Sequence, residues 1–190
     1  MAKKIYVGVS GKARQVKKIY IGVSGKARKV KKAYIGVGGK ARPFFSGEQE
    51  LEYYGTITSL SKSRGYLAGA SVGDYALFAG GVGSSGYLTT VNAYSSSLTR
   101  STPTALSEAR SSLAGASIGN YALFAGGNVD SSRSATVDAY NSSLTRITPT
   151  ALSAARHSLA GASVGNYALF AGGYNGSSYF ATVDAYKISD

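Results

Sequence analysis

The sequence predicts an all-β chain in two parts: a small N-terminal β-meander or hairpin module, then a body of repeated units built from short strands. Three observations carry this reading. The 190 residues include 25 glycines and 15 tyrosines but only 3 prolines, a mixture of strand formers and turn formers. No segment keeps the 3.6-residue apolar period of a helix over four turns. Two internal repeats of different length follow one another, and such periods take precedence over local propensity.

The first repeat has a period of 14 residues. KKIYVGVSGKARQV begins at Lys3, KKIYIGVSGKARKV at Lys17 and KKAYIGVGGKARPF at Lys31. Each unit opens on an alternating run, in which Ile5, Val7 and Val9 face one way and Tyr6 and Gly8 the other. Ser10-Gly11, Ser24-Gly25 and Gly38-Gly39 then supply a turn where positive φ is easy. A second reversal is predicted near Val16-Lys17 and Val30-Lys31.

Charge is concentrated in this part. Residues 1–42 hold 13 Lys or Arg and no acid, whereas residues 43–190 hold 8 basic and 9 acidic residues. The net charge of +12 therefore describes a basic arm on a nearly neutral body. Screening acts over about 8 Å at physiological salt, so neighbouring lysines still repel and need a cover. Lys3, Lys4, Lys17, Lys18, Lys31 and Lys32 are the candidate attachment residues. Their expected partner is an acidic protein surface or further copies of the module. Nucleic acid is the less favoured partner, with Tyr6, Tyr20 and Tyr34 as stacking faces.

Residues 43–55 read as a junction. Pro43 ends the basic pattern and Phe44-Phe45 follow it. Glu48, Glu50 and Glu52 then alternate with Gln49, Leu51 and Tyr53, as a linker strand or an acidic partner for the lysines. Like charges two apart on one edge repel, which argues against a metal or acid site there.

The second repeat fills residues 56–186 with a period of 46. YALFAGG recurs at Tyr75, Tyr121 and Tyr167, and VNAY or VDAY ends at Tyr94, Tyr140 and Tyr186. LSKSR, LSEAR and LSAAR begin at Leu60, Leu106 and Leu152. Gly73-Asp74, Gly119-Asn120 and Gly165-Asn166 are hairpin turn signals. YALFA is apolar on both faces and should lie between neighbouring units. The doublets Gly80-Gly81, Gly126-Gly127 and Gly172-Gly173 end it, where bare backbone can pass closely or take positive φ. ATVDAY is an alternating outer strand, and SSLTR–TPTALS a polar connection. Arg64, Arg110 and Arg156 recur in step with Asn92, Asp138 and Asp184, which predicts a repeated ion pair or backbone contact. A 46-residue period of short strands falls in the range of propeller blades.

The order of these anchors resembles the Kelch repeat: the strand, the glycine doublet, a tyrosine 13 residues after the second glycine, and the arginine of LSEAR. The tryptophan usual after that tyrosine is missing; Ser101 and Ile147 stand in its neighbourhood. The resemblance implies Kelch-like propeller blades and a binding scaffold. Closed propellers use about four to eight blades, so three units imply an open apolar edge at each end, closed by oligomerisation, most simply two chains giving six. KKIYVGV-SGKAR resembles a basic segment of virion proteins from phages and prophages of Gram-positive bacteria, which implies an attachment module.

The copies also show where variation is allowed. Residues 107–140 and 153–186 match at 26 of 34 positions, and five of the eight differences fall in the loop after the glycine doublet. Fixed strands with variable loops form the layout of a recognition surface. Tyr87, Asn128, Arg133, Tyr174, Asn175 and Tyr179 are the candidate recognition residues, with stacking faces and side-chain donors suited to glycan or protein.

Catalysis is not expected. One histidine, His157, and no cysteine exclude the copper-oxidase chemistry hosted by the same fold family and leave a hydrolytic triad only at His157, where nothing nearby supports one. His157 itself reads as a surface position. No phosphate-binding loop is present, and no cofactor is expected. No apolar run approaches the roughly 18 residues of a membrane span, and MAKKIYVGV does not read as a signal peptide. The functional expectation is a virion protein, a tail fibre or surface appendage assembled in the bacterial cytoplasm. It would partner itself, other virion proteins and a host-surface glycan or protein. The alternatives are a purely structural capsid or tail decoration, and a Kelch-type protein-binding adaptor with a nucleic-acid-binding arm.

Overall fold

A computed structural model describes residues 51–188 throughout and, before them, six strands. The chain divides into two compact parts, Met1–Gly55 and Thr56–Asp190. Every described element is a β-strand, and every pairing is antiparallel.

The first part contains β1 (Tyr6–Val9), β2 (Lys12–Gln15), β3 (Ile19–Val23), β4 (Lys26–Val30), β5 (Lys32–Val37) and β6 (Lys40–Ser46). They form three separate two-stranded sheets, β1–β2, β3–β4 and β5–β6. Of the two arrangements expected, the described strands adopt hairpins, not a continuous meander. The registers close alike at Val9↔Lys12, Val23↔Lys26 and Val37↔Lys40, as the 14-residue period requires. The turn residues between them and the second reversals at Val16-Lys17 and Lys31 lie outside the described residues. One boundary moves. The basic composition stops at Arg42, but β6 runs on through Pro43 to Ser46. Pro43 stands opposite Tyr34 beside a register shift, an irregular position of the kind proline tolerates because it has no N–H to donate.

The body holds three repeat units, each built on one homologous sheet. The first contains β7 (Ala68–Val72), β8 (Tyr75–Ala79), β11 (Val91–Ser95) and β12 (Arg100–Ser101), with a small hairpin, β9 (Val82–Gly83) and β10 (Gly86–Tyr87), between β8 and β11. The second repeats this with β13 (Ala114–Ile118), β14 (Tyr121–Ala125), β17 (Val137–Asn141) and β18 (Arg146–Ile147), and the hairpin β15 (Asn128–Val129) with β16 (Ser132–Arg133). The third has β19 (Ala160–Val164), β20 (Tyr167–Ala171) and β21 (Val183–Lys187).

The hydrophobic core lies between the sheets. Val72, Leu77, Val91 and Ala93 of the first sheet pack with Leu106, Leu113, Phe124 and Tyr140 of the second unit. Ala116, Ile118, Leu123 and Val137 of the second then pack with Leu152, Leu159, Ala168 and Phe170 of the third. Thus Leu123 and Phe124, adjacent on β14, enter different cores, and YALFA does lie between neighbours. The phenylalanine of this strand is fully buried at Phe124 and Phe170 but 36% exposed at Phe78. At the far end Val164 is 61% exposed, where its equivalents Val72 and Ile118 are buried. The row has an open apolar face at each end.

The glycines of β13 and β19 set the spacing of the row. A Cβ on Gly115 would stand 2.2 Å from the carbonyl oxygen of Gly69, and one on Gly161 2.2 Å from that of Gly115. The doublet needs glycine for a second reason: Gly126 and Gly127 have φ of +66° and +119°.

The periodic tyrosine and arginine fasten each unit. Tyr94, Tyr140 and Tyr186 donate to the carbonyls of Thr58, Thr104 and Thr150, each at 2.9 Å. Their rings meet Phe78, Phe124 and Phe170 edge-on at 5.8–6.0 Å. Burial, with the neighbouring Asp138 carboxylate, pushes the Tyr140 phenol up; burial and Asp184 push Tyr186 up to about 12. Arg110 and Arg156 reach Asp138 and Asp184 at 2.7 Å, and Arg64 reaches Asn92 at 3.0 Å. Arg110 also donates to the carbonyls of Phe124, Gly126 and Thr136.

Candidate functional site

The variable loops are hairpins standing on a constant base. Each is tied to the segment ahead of the first strand of its sheet by a pair of backbone bonds: Gly65 with Val82, Ser111 with Asn128, His157 with Tyr174, all between 2.8 and 3.1 Å. Across the hairpin base, Tyr87 pairs with Val82, Arg133 with Asn128, and Tyr179 with Tyr174. The five variable loop positions in the last two copies therefore sit on a fixed backbone frame, and Tyr87, Arg133 and Tyr179 are structural equivalents.

The third hairpin gathers most of the candidates. Tyr174 and Tyr179 stack with centroids 4.7 Å apart at a 36° tilt. The His157 ring meets Tyr174 edge-on at 5.8 Å, and its Nδ1 lies 2.9 Å from Ser158 Oγ. Arg133 arrives from the second hairpin: its guanidinium occupies the space a Cβ on Gly176 would need, 3.2 Å from Nη2. Its Nε is buried without a hydrogen-bond partner. Tyr174 donates to the Gly176 carbonyl at 2.7 Å. Tyr179 is 87% exposed, an aromatic face presented to solvent.

Two sequence readings change here. His157 is half-buried, because its backbone anchors the hairpin and its ring supports Tyr174; it has structural counterparts in Gly65 and Ser111. Asn175 is exposed, but its Oδ1 accepts from Ser177 N, Ser177 Oγ and Ser178 N at 2.8–3.0 Å. That oxygen shapes the loop, an Asx turn, which leaves the amide nitrogen as the side chain's remaining polar group. Tyr87 belongs to the first hairpin and Asn128 to the base of the second. Of the candidate attachment lysines, Lys3, Lys4, Lys17, Lys18 and Lys31 lie outside the described residues, as do Glu48 and Glu50; Lys32 opens β5, opposite Ser46.

Burial, and secondly the positive charge of Arg133, hold His157 below its ordinary value of 6.5. Its protonation is therefore favoured in the unfolded chain. Stability is complete above the ordinary histidine range and falls as pH drops through it. As the chain has one histidine, its imidazole proton resonance is a clean reporter. The resonance is expected to titrate below 6.5, and Arg133→Gln is expected to raise the midpoint. A midpoint at or above 6.5 that the substitution leaves unmoved would show that Arg133 does not sit beside the ring.

The arrangement offers two aromatic faces, a guanidinium and an amide. Among the described residues no group of three or more His, Cys, Asp or Glu is placed to hold a metal ion, and no helix is long and apolar enough to cross a membrane.

No family model matches the chain, and no curated protein matches it. Among solved structures it is similar to one described as the structure of YjhT, with a TM-score of 0.61 and 15% identity. The likeness covers 70% of this chain and 45% of that one. At this identity the likeness concerns the fold, and this chain spans under half the length of that neighbour.

Proposed function

We propose that the chain is a non-catalytic recognition protein of a phage or phage-like particle. In this reading the basic module attaches it to the particle, and the body presents its hairpins to a host-surface glycan or protein. The observation that carries the recognition role is the third hairpin, where Tyr174, Tyr179 and Arg133 converge on a fixed frame while the scaffold strands repeat almost unchanged. Aromatic faces beside a guanidinium and an amide suit sugar rings, which stack their apolar face and hydrogen-bond at their edge. The virion role rests on the resemblance of residues 3–42, and the propeller-blade reading on the Kelch-like order of anchors. Weak single sites would be strengthened by several copies on one particle.

The test is binding of the full chain to an oligosaccharide array and to intact Gram-positive cells, beside Tyr179→Ala. Loss of one base-stacking or sugar-stacking aromatic is worth about 1–3 kcal/mol by analogy with stacking platforms, so binding is expected to weaken roughly ten- to a hundredfold. Cell binding that persists undiminished in Tyr179→Ala would move recognition away from this hairpin. No binding to either would favour the purely structural decoration role.

A further inference from the structure

The two junctions inside the chain use one set of contacts twice. Going from the first unit to the second, Gly81 N donates to Arg110 O, Ser112 N to Tyr66 O, and Ser71 N to Ser117 Oγ, at 2.8–2.9 Å. Going from the second to the third, Gly127 N donates to Arg156 O, Ser158 N to Ser112 O, and Ser117 N to Ser163 Oγ, at 2.8–3.0 Å. Around these bonds, phenylalanine and two leucines of the later unit enter the apolar face of the earlier one.

Each end of the row carries one half of this same junction. The third unit presents the receiving half: Gly173 N, Ser158 O and Ser163 N, beside exposed Val164 and Val183. The first unit presents the inserting half: Arg64 O, Tyr66 N and Ser71 Oγ, beside Phe78, Leu60 and Leu67, which line an open apolar hollow. The glycines fit too. A Cβ on Gly69 meets only its own sheet, 3.5 Å from the Phe78 ring, so the face it points from is bare, whereas Gly115 and Gly161 point at a neighbour's carbonyl.

We infer that the third unit of one chain docks on the first unit of a second copy, head to tail, through a third repetition of the internal junction. The expected bonds run from Gly173 N to Arg64 O, from Tyr66 N to Ser158 O, and from Ser163 N to Ser71 Oγ, between chains. This interface is heterologous: a row of such contacts ends only if its rotation closes a ring. Two copies would supply six units, within the about four to eight of closed propellers. The chain alone matches under half of its structural neighbour, so a second copy's length also falls within that fold.

The proposal is independent of what the hairpins bind, and its test does not involve them. The chain has no cysteine, and Ser71 Oγ and Ser117 Oγ are 3.3 Å apart, so cysteines at matching positions of docked units should bridge. Full-length S71C/S163C under mild oxidation is expected to give covalently linked chains, and S71C/S117C a bridge within one chain. Neither S71C nor S163C alone should link. Adding Gly69→Ala to S71C/S163C should abolish the linkage while leaving the circular dichroism spectrum of the folded chain unchanged. Native mass spectrometry of the unmodified chain should show more than one copy. A monomer at all concentrations, with no linkage in S71C/S163C, would overturn the inference. So would linkage by S163C alone, which would mean that like faces meet.

Discussion

Replacing Asp138 by alanine should cost the body about 3–5 kcal/mol, the usual loss when one partner of a buried ion pair is removed. Asp138 and Arg110 are both 0% exposed at 2.7 Å. The carboxylate also accepts from Ser107 N, Ser107 Oγ and Arg146 Nη1. Without it, Arg110 remains a buried cation whose pKa burial already lowers, facing carbonyls that cannot neutralise it. The double variant Arg110→Met/Asp138→Leu should be much less damaging than Asp138→Ala, since it removes the stranded charge along with its partner. Asp138→Asn should fall between them. The first unit already pairs Arg64 with Asn92, where Arg64 is only half-buried. Urea unfolding of the four proteins decides the matter. A loss below about 1 kcal/mol for Asp138→Ala, the range of surface pairs, would mean that solvent reaches Arg110.

Gly115→Ala should be the most disruptive of the small substitutions. The new methyl would meet the carbonyl oxygen of Gly69 at 2.2 Å and its carbon at 2.8 Å. Both are backbone atoms, so no side chain can rotate aside; the first and second sheets must separate. Overpacking in a core costs about 1–3 kcal/mol, and here it is added to the core lost between the parted sheets. The same methyl at Gly161 meets Gly115 at the same distance, but the third unit has an open outer face and can shift, so Gly161→Ala should loosen that unit and spare the first two. Gly69→Ala leaves both internal junctions untouched, since its methyl meets only its own sheet within the chain, so any loss it causes should be confined to the contact between copies. Thermal melting, with hydrogen exchange to show which sheet opens, separates the three. Equal losses at all three positions would show that the effect is strand propensity and not the spacing of the sheets.

Much of this architecture could be read from the sequence because it repeats. The pairing of Arg110 with Asp138 was legible from their recurrence 46 residues later as Arg156 and Asp184, and the two-faced burial of YALFA from its lack of alternation. The junction was less legible. Tyr66, Ser112 and Ser158 take positive φ, between 53° and 54°, without the glycine or asparagine that normally marks it. Such backbone costs about 1–3 kcal/mol and persists where surroundings over-determine it; here the Tyr66 and Ser112 carbonyls each hold the next unit. His157 reads as a surface position in the sequence because its backbone pairing with Tyr174 leaves no mark on residue type. Pro43 marks the end of a composition, whereas the strand that contains it depends on pairing with β5. At the hairpins, the sequence identified the residues that differ but not that Arg133 crosses to its neighbour's loop.

Placing the core between the sheets makes unit number a variable separate from unit chemistry. Each inserted 46-residue copy would bring one inserting and one receiving half, so the chain's two ends would stay complementary whatever their separation. Stability then counts junctions, as in other quasi-one-dimensional repeats: an open row has one fewer than its units, and a closed ring has as many. Gain or loss of a copy by recombination would alter the circumference, and with it the number of hairpins displayed, without requiring a new interface to evolve.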